Sequence, residues 1–139
     1  MSSTDFLEFK NISKRYIDLN ASPIPDFTDY FKQLSSIPDK IEINLPLESS
    51  RSCHWQKCKF CYLNEGYRYR QKDPDNVLRE IQTLSEIHKI SKFLFLDNDL
   101  IGKSWNNFDR LLDGLINHKA HTDPNFEIVM AEIIPKNLN

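Results

Sequence analysis

Lys92-Phe-Leu-Phe-Leu-Asp-Asn-Asp99 is a short apolar run stopped by three Asx residues, and it sets the class of architecture. A run of this length without polar alternation suits a strand covered on both faces, as at the centre of a parallel sheet. A helix is expected on each side of it. Upstream, Asp73-Pro74-Asp75 is a helix start: Asp73 can cap, Pro74 suits the first helical position, and Asp75 favours the positive end of the dipole. Val77, Leu78, Ile81, Leu84 and Ile87 then follow at helical spacing. Downstream, a second amphipathic helix runs from about Ser104 with Trp105, Phe108, Leu111, Leu112, Leu115 and Ile116, the two aromatics reading as core. Asp123-Pro-Asn125 turns the chain into a third strand over residues 126–133. A first strand occupies residues 41–47, with Pro46 as an end or bulge, and a long loop covers residues 48–72.

Strands alternating with single helices predict an α/β fold of right-handed parallel β-α-β units. A β-α unit takes about 31 residues, since eight need roughly 250, so residues 41–139 read as about three units, half of a (β/α) barrel. Residues 1–40 read as an N-terminal helical and linker segment: an amphipathic stretch to about Leu19, a linker over 21–25, and a short helix start over 26–31. Chemistry in such folds sits beyond the C-terminal ends of the strands. The loop after strand one, Asp97 and Asn98 after strand two, and Glu132 near the end of strand three are expected on one rim.

The chain has 139 residues, 40% apolar and 12% aromatic, which suits one domain with a core. A net charge of -2 provides no global field towards nucleic acid or anionic lipid. The first ten residues carry Asp5 and Glu8 and do not read as a secretory signal, and no apolar run approaches the ~20 residues of a membrane span. Only Gly66, Gly102 and Gly114 are present, which excludes a Walker loop and a G-x-G-x-x-G fingerprint. Three cysteines, an odd number without an export signal, argue against a disulfide framework and for a cytoplasmic protein.

All three cysteines fall within nine residues: Cys53, Cys58 and Cys61, in the pattern C-x4-C-x2-C with Phe60 before the last. A structural zinc site normally closes with four ligands, and only three thiols are offered locally. His54 adjoins Cys53, and neighbouring residues seldom both reach one metal. His88, His118 and His121 are remote and read as surface residues. Three cysteines suit a 4Fe–4S cluster held through three irons, leaving the fourth open for reaction.

Cys53-His-Trp-Gln-Lys-Cys-Lys-Phe-Cys61, on a loop after the first strand of a β-α barrel, resembles the cluster loop of radical S-adenosylmethionine enzymes. The flanking strings Glu48-Ser-Ser-Arg-Ser-Cys53 and Cys61-Tyr-Leu-Asn-Glu-Gly66 resemble members that mature ribosomally made peptides. The likeness runs from about Asp26 to the C-terminus. It implies that Cys53, Cys58 and Cys61 bind the cluster, that S-adenosylmethionine chelates its fourth iron, and that reduction releases a 5′-deoxyadenosyl radical. It implies cofactor contacts from Phe60, Tyr62, Asp97, Asn98 and Glu132, with a peptide substrate and a reductant protein as partners. It also implies that a partner chain, or a longer version of this one, completes the barrel. The first gap is one residue longer than the family's commonest spacing, and Asp97-Asn98-Asp99 stands where the family often has Gly-Gly-Glu. No cobalamin domain precedes the barrel and no D-x-H occurs, so cobalamin is not supported by this chain.

Plainer readings stand beside these. Residues 51–72 hold six basic residues (Arg51, Lys57, Lys59, Arg68, Arg70 and Lys72) against Glu65 alone, with five aromatics interleaved. Around a zinc knuckle, such a loop could stack and clamp single-stranded RNA. The same charge suits a cluster made negative by three thiolates, and the net charge favours a protein that does not bind nucleic acid. The Asx residues at 97–99 could be turn formers, and Glu132 could face solvent.

Overall fold

The computed structural model describes residues 17–38, 41–61 and 68–134. The expected segments over residues 1–16 and 135–139 lie outside that description. The protein is mixed α/β, with a three-stranded parallel sheet in the order β1 (Leu45–Leu47), β4 (Lys92–Phe95), β5 (Glu127–Met130). Helix α2 (Pro74–His88) connects β1 to β4, and α3 (Trp105–His121) connects β4 to β5. Sequential parallel strands with single-helix crossovers are the arrangement expected above. Strand β4 is central: Leu45 pairs with Phe93 and Leu47 with Phe95 on one side, and Lys92 pairs with Glu127 on the other.

The strands are shorter than expected, β1 being three residues and β5 four. Pro46 lies inside β1 rather than ending it, paired with Leu94. Strand β1 lies at one end of the strand order, so proline's missing donor can face away from the ladder. Two further strands interrupt the long loop: β2 (Ser50–Arg51) and β3 (Arg70–Gln71) form an antiparallel ladder that closes the base of the cysteine loop.

Helix α2 starts as its sequence requires: the Asp73 side chain accepts from the Asp75 N–H at 3.0 Å, and Pro74 occupies the first turn. It buries Val77, Ile81 and Leu84 against Phe93, Phe95, Leu45 and Leu47. Ile87 is exposed instead of joining this stripe, because the last turn packs through His88, which stacks on Phe31 at 4.5 Å. Helix α3 buries Leu111 and Leu115 and lies against α2, where Gly114 receives the Leu78 side chain; a Cβ there would come within 2.2 Å of Leu78 Cδ1. Trp105, expected in the core, is 52% exposed. It stands at the first position of α3, edge-on to Phe108. His88 and His118 are half-buried beside Phe31 and Phe126, whereas His121 is exposed as expected.

The covering of β4 is one-sided among the described residues. Phe93 and Phe95 face the helices, while Leu94 is half-buried and Leu96 exposed. Val129 and Met130 of β5 are likewise exposed. The segment before β1 joins the same core: helix α1 (Thr28–Leu34) contributes Phe31, and a 3-10 turn at Leu19–Ala21 buries Leu19. Asn20 Oδ1 accepts from the Asp73 N–H and from Asn76 Nδ2, clipping this segment to the start of α2. No helix among the described residues is long and apolar enough to cross a membrane.

Candidate metal centre

The cysteine loop leaves the C-terminal end of β1 and is tied down by the residues that leave β4. Alternation continues past the last residue of β4: Asp97 and Asp99 are each 1% exposed, with exposed Asn98 between them. Two successive carboxylates therefore point into the protein at the rim. Asp97 Oδ2 accepts from the Ser49 N–H at 3.1 Å, and Oδ1 accepts from the Ser49 hydroxyl at 2.8 Å and from the Ser50 N–H. Burial pushes the Asp97 carboxyl above the usual carboxylate range, against the lowering effect of the bonds from Ser50 and Ser49. The carboxylate serves as the acceptor for a chain that has just left the sheet and has lost its ladder partners.

Asp99 reaches further along the loop. Its Oδ2 lies 2.8 Å from His54 Nδ1, and its Oδ1 accepts from the Ile134 N–H at 3.0 Å. The Nδ1 contact is short but not aligned as a hydrogen bond, so it holds the ring by close packing against the carboxylate. The Leu100 N–H donates to the Glu132 carbonyl at 2.8 Å. The exits of all three parallel strands are thus joined by Asp97, Asp99 and Leu100. Tyr69 packs edge-on to His54 at 5.9 Å. Burial, with Asp97 and Asp99 adding to it, pushes the Tyr69 hydroxyl up to about 12. Gly102 makes room for that hydroxyl: its φ is +65°, and a Cβ would come within 2.2 Å of Tyr69 Oη.

Beyond His54 the loop folds on itself. Ser52 and Gln56 both have positive φ, +71° and +46°, a left-handed conformation that L-residues adopt at a cost. The Cys61 N–H donates to the Cys58 carbonyl at 3.1 Å, closing a turn with Lys59 and Phe60 at its tip. Phe60 is 93% exposed. Lys57 Nζ sits 4.7 Å over the Trp55 ring. Cys53, Cys58 and Cys61 are half-buried and in no disulfide.

The basic excess of this region is smaller than its composition implies. Arg51 makes a two-pronged bond to Glu48, just before the counted stretch. Lys72 is buried with Glu80 of α2, Nζ to Oε2 2.6 Å. Lys57 and Lys59, at the loop's outer end, are exposed.

Three thiols without a carboxylate among them, at the rim of a parallel sheet, match in kind the ligands that an iron–sulfur cluster takes. Among the described residues no three His, Cys, Asp or Glu side chains converge on a position that would hold a single metal ion. Of the other expected contacts, Phe60 and Asn98 are exposed on the same rim, and Glu132 is exposed with its carbonyl bonded to Leu100. Asp97 is turned inward onto Ser49 and Ser50. Tyr62 lies outside the described residues. The contributions of Ser49, Ser50, His54, Tyr69 and Asp99 were not anticipated. The two-residue spacing of Asp97 and Asp99 was the available signal, since residues two apart in an extended chain lie on one side. Comparison with protein-family models, with curated proteins and with solved structures finds no match to this chain.

Proposed function

We propose that this protein is a radical S-adenosylmethionine protein whose 4Fe–4S cluster is held by Cys53, Cys58 and Cys61. The observation that carries the reading is the placement of three cysteines, none in a disulfide, on a loop leaving β1 of a sequential parallel sheet, clasped to the exit of β4. When bound and reduced, the cluster supplies one electron to S-adenosylmethionine, yielding methionine and a 5′-deoxyadenosyl radical for hydrogen abstraction.

The chain's own residues bind, place and shield. The thiols ligate as thiolates, and Lys57 and Lys59 offset the charge they bring to the loop. Phe60, exposed at the turn between the second and third cysteines, offers a flat apolar face for the adenine. Asn98, exposed between two buried aspartates, offers an amide to the methionine or ribose end. The apolar faces of Leu96, Val129 and Met130, exposed in this sheet, line the inside of a barrel once further β-α units follow β5. Those units come from this chain or from another. The substrate in this reading is a ribosomally made peptide, and a reductant protein delivers the electron.

A second reading is a zinc module that contacts single-stranded nucleic acid, favoured by exposed Phe60 and by Lys57 over Trp55. Anaerobic reconstitution separates the two. The cluster reading predicts iron and sulfide uptake with a visible absorption shoulder, then 5′-deoxyadenosine on reduction with S-adenosylmethionine. Stoichiometric zinc without iron uptake favours the module.

A further inference from the structure

We propose that Asp99, acting through His54, is the positioning residue for Cys53, so that the first thiol is fixed to the sheet's rim while Cys58 and Cys61 ride on a separate turn. The inference rests on reading the loop as a cluster site, and its test is chosen to fail separately from that reading.

The loop has two arms with different anchors. The inner arm starts at Ser49 and Ser50, bonded to Asp97, and continues to His54, whose ring is 2.8 Å from the buried Asp99 carboxylate. Only one peptide unit separates the His54 Cα from that of Cys53, so fixing the imidazole fixes the thiol's base to within a few ångströms. The neighbouring Ser52, 5% exposed with a φ of +71°, turns the chain so that His54 faces inward. Tyr69, edge-on to the ring, closes the other side. The outer arm is different: Cys58 and Cys61 share a local turn, closed by their own backbone bond and capped by an exposed phenylalanine. Asp99 is itself held from behind, because its second oxygen accepts from the Ile134 N–H after β5. The position of Cys53 is thus tied to all three strand exits, and a ligand loop prepared in this way meets a cluster with one thiol already in place.

Two variants act on opposite ends of the contact. Asp99→Asn keeps an oxygen for the Ile134 N–H and takes the charge away from His54. His54→Ala leaves Asp99 and its bond to Ile134 intact. In the metal-free chain, limited trypsin digestion reads the loop through Lys57 and Lys59, with Lys89 at the end of α2 as an internal reference. Both variants are expected to speed cleavage at Lys57 and Lys59 several-fold and to leave Lys89 unchanged. In the reconstituted protein, each is expected to lose iron to a chelator about tenfold faster, the scale for partners that orient metal ligands. His54→Ala combined with Asp99→Asn should lose iron no faster than the worse single variant, because the two act through one contact.

Wild-type cleavage and wild-type iron loss in both variants overturn the inference and leave the cluster reading standing. Additive effects in the double variant overturn the route through His54. A wild-type chain that takes up no iron overturns the cluster reading, and the cleavage rates then decide alone whether His54 and Asp99 pin the loop.

Discussion

Replacing Asp97 by Ala removes the acceptor on which the base of the cysteine loop depends. Three donors lose their partner: the Ser49 N–H, the Ser49 hydroxyl and the Ser50 N–H, in residues only 2% and 3% exposed. The hydroxyl can rotate to another acceptor, but the two backbone donors cannot. Each stranded buried donor costs about 1–3 kcal/mol. Part of that is offset because the variant no longer buries a carboxylate, whose raised pKa records a burial cost exceeding the help from its bonds. A net loss of about 2–4 kcal/mol follows. The sign of the pH dependence follows from the same shift. The folded chain holds the Asp97 proton more tightly than the unfolded chain. The group's contribution is therefore fully present below its ordinary value of 3.8 and declines as pH rises through the higher folded value. Other carboxylates cancel when wild type and variant are compared at one pH. Urea unfolding of the metal-free proteins, followed by far-UV circular dichroism at about pH 4 and about pH 7, should show a larger gap at the lower pH. A loss below about 0.5 kcal/mol at both, the size of an ordinary surface change, would refute the clasp. A gap that widens with pH would refute the assigned direction.

The buried Lys72–Glu80 pair predicts an asymmetry. Lys72→Met alone leaves Glu80 buried and unpaired and should cost about 3–5 kcal/mol, whereas Lys72→Met with Glu80→Leu should come within about 1 kcal/mol of wild type in urea unfolding. Gly102→Ala forces a Cβ into a left-handed backbone position against the Tyr69 hydroxyl and should lower stability by about 1–2 kcal/mol. Adding Tyr69→Phe should recover part of that loss, and no recovery would mean that backbone strain alone is responsible. Phe60→Ala should leave thermal unfolding unchanged, because the ring is exposed. In the reconstituted protein, it should weaken S-adenosylmethionine binding by about 1–3 kcal/mol, the scale of one stacked aromatic, as measured by calorimetry.

The parts of the fold that were legible in the sequence are those set by short-range chemistry. Asp73-Pro74-Asp75 carries cap, first-turn proline and dipole charge within three residues, and α2 begins there with the expected bond. The unbroken apolar run at 92–96 marked the central strand, although among the described residues only the face bearing Phe93 and Phe95 is covered. What stayed hidden depends on partners distant in sequence. The β2–β3 ladder pairs two residues with two others about twenty positions away, too short for any periodicity to register. Trp105 has the spacing of a core residue, but its place at the first turn of α3 leaves it outside, which spacing alone does not encode. Asp97 and Asn98 were expected as cofactor contacts through the family resemblance. Both leave the end of β4, and the Asp97 carboxylate is turned inward by Ser49 and Ser50, 48 and 47 positions away. The basic loop lost two of its charges to Glu48 and Glu80, which are near in sequence but lie outside the stretch whose charge was counted.

The central claim is that Cys53, Cys58 and Cys61 together hold one iron–sulfur cluster. Its most direct measurement is iron and sulfide per chain after anaerobic reconstitution, on the wild type and on Cys53→Ala, Cys58→Ala and Cys61→Ala separately. The account predicts about four irons and four sulfides in the wild type, with the cluster lost in each single variant. Zinc bound one to one with no iron uptake, or iron retained in all three variants, would contradict it.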